Sequence, residues 1–362
     1  MRRVELGTRS YPILVATSYE QLPKALARVV SSRHGWIVSH EALLARYGRQ
    51  LLDPLQHAGW AMHTIIVPES ERSKSFAVVQ RVLGTLARQA TMRVPVLFAL
   101  GGGVIGDVTG LIAAVFRRGV PYVQLPTTLL AQVDSAIGGK VGIDLPQGKN
   151  LVGAFYQPRL VYSNLSLLAT LPMRQRRTGI AEVIKYGIIA DRPLFAFLEG
   201  RMADCLALKP RALRMMVERS SGAKARVVSR DERETGTRRV TLNFGHTLGH
   251  ALETATAYRR WTHGEAIAIG MCAASQLSVL MGLCGEAPHA RIVQLIRAAG
   301  LPTVARGVSR QAVRRALRYD KKFVRGRARW VLLKDIGRVV VREDVPQRLV
   351  EEMLAEYVTP GV

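Results

Sequence analysis

Cysteine is scarce in this chain. Only Cys205, Cys272 and Cys284 occur, an odd number at wide spacing, which excludes a disulfide framework and a CxxC metal site. Cys272 and Cys284 lie in apolar helical context and read as core residues. Long apolar runs are missing too. None reaches the roughly 20 residues that span a bilayer, and the N-terminal MRRVELGTRSYPILVATSYE lacks the apolar core of a signal peptide. A cytosolic protein with no membrane partner is expected. There is no internal repeat and no low-complexity segment. Acidic residues are few: 27 Asp and Glu stand against 52 Lys and Arg, a formal net charge of +25. That balance invites a polyanion. The arginines, however, are spread along the chain, and no nucleic-acid-binding motif accompanies them. The expected partner is a multiply anionic small substrate and not a nucleic acid.

The composition is otherwise globular, 48% hydrophobic and 22% charged, and 362 residues make two domains the natural division. The first third alternates strand-like runs (11–16, 35–39, 62–67, 94–100, 122–125) with helical periodicity (18–31, 41–58, 76–89). Such alternation predicts an α/β domain with a mainly parallel sheet. From about residue 165 the texture turns helical, with a short strand pair at 329–334 and 337–342 and a last helix from Pro346 to about residue 357. We therefore divide the chain into 1–168, a Rossmann-like α/β domain, and 169–362, a mainly α-helical domain.

The apolar run 94–100 leads directly into Gly101-Gly102-Gly103-Val104-Ile105-Gly106-Asp107, and a helix follows. This matches G-x-G-x-x-G between strand and helix, where backbone N–H groups take a pyrophosphate. Three successive glycines cost entropy unless a backbone must approach closely. The acid that usually follows about 20 residues on is missing from PYVQLPTTLL, so a plain tight turn stays open as the alternative. Thr127, Thr128, Asp134, Lys140, Lys149 and Asn150 fall in segments read as glycine-rich loops, where binding residues sit. Solvated loops are the other reading.

In the helical half, 179–189 is apolar except for Glu182 and Lys185, three apart on one face. They read as a buried ion pair, or as a metal ligand beside a substrate-binding cation. Three of the eight histidines fall in LNFGHTLGHALETATAYRRWTHGE (242–265). His246 and His250 share a helix face, and His263 follows. Two of the three with a carboxylate would suit a divalent metal. The alternative is a set of hydrogen-bonded histidines at a helix interface. A zinc peptidase is excluded, because Thr247 stands where its general-base Glu must be.

Taken in order, PESERSK (68–74), GGGVIGD (101–107), RRG (117–119), PTTLLAQVDSAIGGK (126–140), GKN (148–150), GIAEVIKYG (179–187), DERE (231–234), LNFGHTLGH (242–250), HGE (263–265) and DKK (320–322) resemble the 3-dehydroquinate synthase family over nearly the whole chain. The resemblance implies an NAD-binding Rossmann-like domain and a helical domain holding zinc or cobalt. It implies conversion of 3-deoxy-D-arabino-heptulosonate 7-phosphate to 3-dehydroquinate and phosphate in the shikimate pathway. The implied route is transient oxidation by NAD, phosphate elimination, reduction, ring opening and intramolecular aldol. By resemblance, Glu182, His246 and His263 are the metal ligands. Glu71, Lys74, Gly102, Gly103, Val104, Ile105, Gly106, Asp107, Thr127, Thr128, Lys140, Lys149, Leu167, Leu168, Ala169 and Thr170 hold NAD. Asp134, Lys140, Asn150, Lys185, Lys224, Arg239, Asn243, His250 and Lys322 line the substrate. Arg118 is similar to an arginine that reaches the neighbouring subunit's site, which implies a homodimer. The chain departs from the family at Ser39-His40-Glu41-Ala42, Ser70 and Val141-Gly142. It also has one extra residue between Gly236 and Asn243, where Arg239 is preferred to Arg238. Rival expectations are another sugar-phosphate cyclase and an iron-type polyol dehydrogenase.

Overall fold

The computed structural model describes residues 2–89, 93–319, 323–324 and 327–360. Its chain groups into two compact units, Met1–Leu171 with Lys224–Ser229, and Pro172–Ala223 with Arg230–Val362. No helix among the described residues is long and apolar enough to cross a membrane.

The first unit is built on a seven-stranded sheet. Its strands are β1 (Arg2–Val4), β2 (Tyr11–Ala16), β3 (His34–Ser39), β4 (Ala61–Ile66), β5 (Val96–Gly101), β6 (Tyr122–Pro126) and, after a hairpin of β7 (Lys140–Leu145) and β8 (Gly148–Phe155), β9 (Leu160–Asn164). The order is β1-β2-β9-β6-β5-β3-β4, and only the edge pair β1–β2 is antiparallel. Strand β5 is buried along its whole length. Its alternate side chains enter two cores. Leu97 and Ala99 join one with α3 (Phe76–Gln89) and α4 (Gly103–Val115). Val96, Phe98 and Leu100 join another with α1 (Leu22–Leu26) and α2 (Glu41–His57). That is the period of two acting on a sheet covered on both faces.

Three expectations are corrected here. The helix expected over 18–31 shrinks to α1, because Pro23 opens it and β-branched Val29 and Val30 follow. The segments around Lys140, Lys149 and Asn150 are not loops but the antiparallel hairpin β7–β8. Its glycines concealed it. A Cβ on Gly142 would lie 2.5 Å from the Val152 carbonyl oxygen, and one on Gly153 would lie 2.2 Å from that of Val141. These glycines permit close strand approach and do not mark turns. Of the cysteines, Cys205 and Cys272 are buried, while Cys284 is only half-buried.

The second unit contains α5 (Met173–Ala190), α6 (Arg192–Leu206), most of α7 (Pro210–Arg230), α8 (His246–Ala255), α9 (His263–Leu280), α10 (Glu286–Ala298), α11 (Arg310–Tyr319) and α12 (Gln347–Tyr357). Helix α9 is buried on every side, as a central helix must be, and α5, α8, α10 and α12 pack on it. The expected late strand pair is present at Trp330–Asp335 and Arg338–Arg342.

Candidate metal centre and cofactor turn

Close packing of glycines brings the histidines to α5. A Cβ on Gly264 would fall 2.4 Å from the Thr178 Cα, and one on Gly270 would fall 1.9 Å from the Gly245 carbonyl oxygen. Gly245 itself adopts φ 79° just before α8, a left-handed conformation that favours glycine. The start of α9 is fixed by a capping box. The Glu265 N–H donates to Thr262 Oγ1 (3.3 Å), and the Thr262 N–H donates to Glu265 Oε2 (2.7 Å). Arg174 on α5 then clasps Glu265 through Nε (2.9 Å) and Nη2 (2.7 Å). His246 and His263 are thus the first residues of two anchored helices.

Both rings turn towards Glu182. His246 Nε2 and His263 Nε2 each lie 3.4 Å from Glu182 Oε1. Ligands about 2.0–2.1 Å from a tetrahedral zinc stand roughly 3.3 Å apart, so this spacing fits one ion. Glu182 is fully buried, and neither of its oxygens makes a well-formed hydrogen bond, although Lys185 Nζ lies against Oε2. Buried carboxylate oxygens that lack a well-formed hydrogen bond and converge with two imidazole nitrogens fit a cation. His246 Nδ1 is 3.1 Å from the Phe244 carbonyl, which turns Nε2 towards Glu182. His250 stands beside the group, with its ring centroid 5.3 Å from that of His246.

Electrostatics sets the charge of all three groups. Burial disfavours charge on Glu182, but Lys185 and the two imidazoles outweigh it and hold the carboxyl well below its usual range. Burial, then Lys185, pulls His246 down to about 4, so its lone pair is available. Burial also works against the charge of His263, but the carboxylates of Glu182 and Glu253 beside its two ring nitrogens raise it to about 10.

Other expected substrate residues of this unit sit around 231–243. The Asp231 carboxylate accepts backbone N–H groups from Thr235 (3.1 Å), Gly236 (3.3 Å) and Arg239 (3.0 Å). Arg239 is buried and Arg238 exposed. Asn243 Nδ2 donates to Glu234 Oε1 (3.1 Å). The sequence argument gave no site role to Glu234, which it used only within the DERE motif, or to Glu253, because neither their side-chain contacts nor their burial shows in spacing. Lys322 lies outside the described residues.

In the first unit, the glycine turn joins β5 to α4, with Gly102 as N-cap. A Cβ on Gly101 would meet Ile105 Cβ at 2.5 Å, and one on Gly106 would meet Gln124 Oε1 at 2.8 Å. Gly103 and the half-buried Val104, in the first turn of α4, leave backbone N–H groups at its N-terminus. The Thr127 N–H donates to the Gly101 carbonyl (3.0 Å), and Thr128 Oγ1 accepts the Ala131 N–H (3.1 Å). Lys74 Nζ donates to Asp107 Oδ2 (2.7 Å), contacts Asn150 Oδ1 and stands 3.9 Å from Asp144. Burial opposes its charge, but Asp107 keeps its pKa above the usual value. Asn150 sits at an irregularity of the hairpin with φ 53°, and its N–H donates to Asp144 Oδ1 (2.8 Å). Asp144 is a partner that the sequence argument missed. Lys149 pairs with Glu71 at 3.1 Å.

Lys224 binds Asp134 twice, at Oδ1 (2.9 Å) and at the carbonyl (2.8 Å). Lys140 starts β7 with its side chain exposed. In the turn Leu165–Thr170, Leu165, Leu167 and Leu168 are buried, while Ser166, Ala169 and Thr170 are exposed. Tyr47, another residue missed, holds that turn through the Leu167 carbonyl (3.2 Å) and Thr170. Arg118 is exposed in a turn where Arg117, Arg118 and Gly119 all have positive φ (49°, 60° and 128°), a strained conformation for two bulky residues.

Comparisons with known proteins bear on all of this. A family model described as 3-dehydroquinate synthase N-terminal matches residues 64–178, and one described as 3-dehydroquinate synthase C-terminal matches 179–323. A 3-dehydroquinate synthase from Picosynechococcus sp. is 43% identical over 357 residues, covering 98% of both chains. Among solved structures, 2-epi-5-epi-valiolone synthase from Streptomyces hygroscopicus subsp. jinggangensis, with NAD+ and Zn2+ bound, superposes with TM-score 0.86 at 30% identity over 96% of both chains. A 2-deoxy-scyllo-inosose synthase, complexed with carbaglucose-6-phosphate, NAD+ and Co2+, gives TM-score 0.85 over 98% of this chain and 99% of its own. At 24% identity, that second likeness speaks for the fold alone.

Proposed function

The chain belongs to the 3-dehydroquinate synthase family, and we infer from that premise that it converts 3-deoxy-D-arabino-heptulosonate 7-phosphate to 3-dehydroquinate and phosphate. It is a lyase of the shikimate pathway that uses NAD and a divalent metal, zinc or cobalt. The observation that carries the reading is 43% identity across 98% of both chains, joined to the convergence of Glu182, His246 and His263.

When bound, the metal supplies Lewis-acid polarisation of the alcohol to be oxidised, and NAD supplies a reversible hydride acceptor. The chain's own residues hold and orient. Glu182, His246 and His263 hold the metal, with Lys185 Nζ beside the carboxylate to limit its charge. In the first unit, Glu71, Lys74, the turn Gly102 to Asp107, Thr127, Thr128, Lys140, Lys149 and residues 167–170 hold NAD. There the N-terminal N–H groups of α4 would take its pyrophosphate. Asp134, Lys140, Asn150 and Lys224 bind substrate in that unit, and Lys185, Arg239, Asn243, His250 and Lys322 do so in the other. Ammonium and guanidinium groups suit the substrate's carboxylate and phosphate, where charge-assisted bonds are strongest.

The test is phosphate release from 3-deoxy-D-arabino-heptulosonate 7-phosphate with catalytic NAD and zinc, with absorbance for NADH followed in the same cuvette. Phosphate without net NADH is the expected result. Net NADH without phosphate would make the protein a polyol dehydrogenase. No phosphate with both cofactors bound would point to a cyclase with another sugar phosphate.

The active form is a cytosolic homodimer in which Arg118 completes the partner's site. The strained, exposed turn at Arg117 and Arg118 supports this, since strain is retained where contacts elsewhere require it. Mixing inactive Arg118→Ala with inactive His246→Ala protein is expected to restore part of the activity. Mixed dimers that stay inactive would place Arg118 in its own subunit's site or in none.

A further inference from the structure

Glu253 has no part in the ligand set above, yet it is nine-tenths buried and its carboxylate faces a metal-binding histidine. It follows His246 and His250 on one face of α8, at i+7 and i+3. His263 Nδ1 lies 3.4 Å from Glu253 Oε1, and the same ring's Nε2 lies 3.4 Å from Glu182 Oε1. The imidazole is therefore held between two carboxylates, one at each nitrogen. Only one nitrogen can offer a lone pair to the metal. We propose that Glu253 is the positioning residue of the metal centre: it accepts the Nδ1–H of His263 and so directs the Nε2 lone pair at the ion.

The geometry repeats on the other ligand. His246 Nδ1 is 3.1 Å from the Phe244 carbonyl, so both histidines present Nε2 and both have an oxygen behind Nδ1. The two oxygens differ in charge. A carbonyl only orients, whereas a carboxylate also raises the basicity of the imidazole and compensates the ion's charge. That compensation has a purpose here. Lys185 Nζ lies against Glu182 and offsets its negative charge, so Glu182 and two neutral imidazoles leave a divalent ion almost uncompensated. Glu253 adds one negative charge to the shell around the ligands. It also explains why an acid tolerates burial at this place, since an ionised carboxylate out of water needs a charged or strongly donating partner.

The inference rests on the ligand set proposed above, and the test separates the two. Zinc affinity of the full-length, NAD-bound protein is measured by competition with a chromophoric chelator. Protons compete for the same ring, so affinities are compared at their alkaline plateau. Glu253→Ala is expected to weaken zinc by about 10- to 100-fold, the usual loss when a partner behind a ligand is removed. Glu253→Gln, which keeps an acceptor oxygen without the charge, should recover part of that loss. The visible spectrum of the cobalt-loaded protein should change in Glu253→Ala, because a freed His263 ring alters the ligand field. A merely structural Glu253 would lower the melting temperature of the apoprotein and leave affinity and spectrum alone, and that result overturns the proposal. His246→Ala is the control. If it loses zinc while Glu253→Ala does not, only the role of Glu253 falls. If it retains zinc, the ligand set falls and this inference with it. Two zinc ions per wild-type chain, with only the weaker lost in Glu253→Ala, would make Glu253 a ligand of a second ion with His250 and His263, and would also overturn it.

Discussion

Replacing His246 with alanine is expected to lower turnover by about 1,000-fold or more. That corresponds to roughly 4 kcal/mol at about 1.4 kcal/mol per factor of ten, and polarisation by a metal is worth several kcal/mol in the transition state. The residue is chosen over His263 because its ring is the better buried of the two, with 10% against 30% side-chain exposure, and its lone pair needs no deprotonation near neutral pH. Without it, Glu182 and His263 hold the ion alone, and a catalytic site of this kind uses three protein ligands. The fold should survive. Glu182 keeps its ion pair with Lys185, so no buried charge is left without a partner. The measurement is phosphate release per chain together with metal content by atomic emission. Loss of both with an intact melting transition is the expected outcome. Undiminished turnover would remove His246 from the ligand set. Zinc-loaded but inactive protein would show that the ring acts on substrate and not on the ion.

How far the sequence made these features legible depended on range. Strand β5 and the turn after it were readable, because a continuous apolar run, three glycines and a helix follow one another directly. Hairpin β7–β8 was not. Gly142 and Gly153 oppose each other so closely that neither tolerates a Cβ, and the glycines that signal a loop by composition are what allow the strands to meet. The helix expected over 18–31 failed for a local reason, Pro23 with two β-branched residues close behind. At the candidate metal centre, the spacing of His246 and His250 was visible but did not by itself name a ligand pair. The ligand atoms that converge on Glu182 belong to His246 and His263, each at the start of its helix. Only packing places those starts together, through Gly264 against Thr178 and Gly270 against Gly245. Glu253, Glu234 and Asp144 act through contacts at tertiary range or inside a bulge, so no periodicity announced them. Family resemblance, and not spacing, named Glu182, His246 and His263 together.

Zinc affinity of the metal-free protein should rise about tenfold per pH unit between pH about 6 and about 9, a gain of roughly 1,000-fold. The slope follows from which ligands carry protons. Glu182 is held well below its usual range and is ionised throughout, so it contributes no slope. His246, at about 4, is neutral throughout and contributes none. His263 is the exception. Burial opposes its charge, but Glu182 and Glu253 bind the imidazolium and raise it to about 10. Over this window its Nε2 carries the proton that zinc must displace, and one proton should be released per ion bound. Its side chain is 30% exposed, so solvent softens the pH at which the rise levels off, not its direction. The same proton stabilises the apoprotein. A group raised from 6.5 to about 10 on folding contributes stability that is complete below about pH 6.5 and fades as the pH climbs towards 10. Zinc-loaded protein lacks that proton. The gap in melting temperature between loaded and metal-free protein should therefore widen as pH rises. Chelator-buffered titrations, with a pH indicator counting protons, test both consequences. A flat affinity across the window would show that His263 is already neutral in the metal-free site. Two protons per zinc would show that His246 is charged as well, and that burial with Lys185 beside it does not keep it neutral.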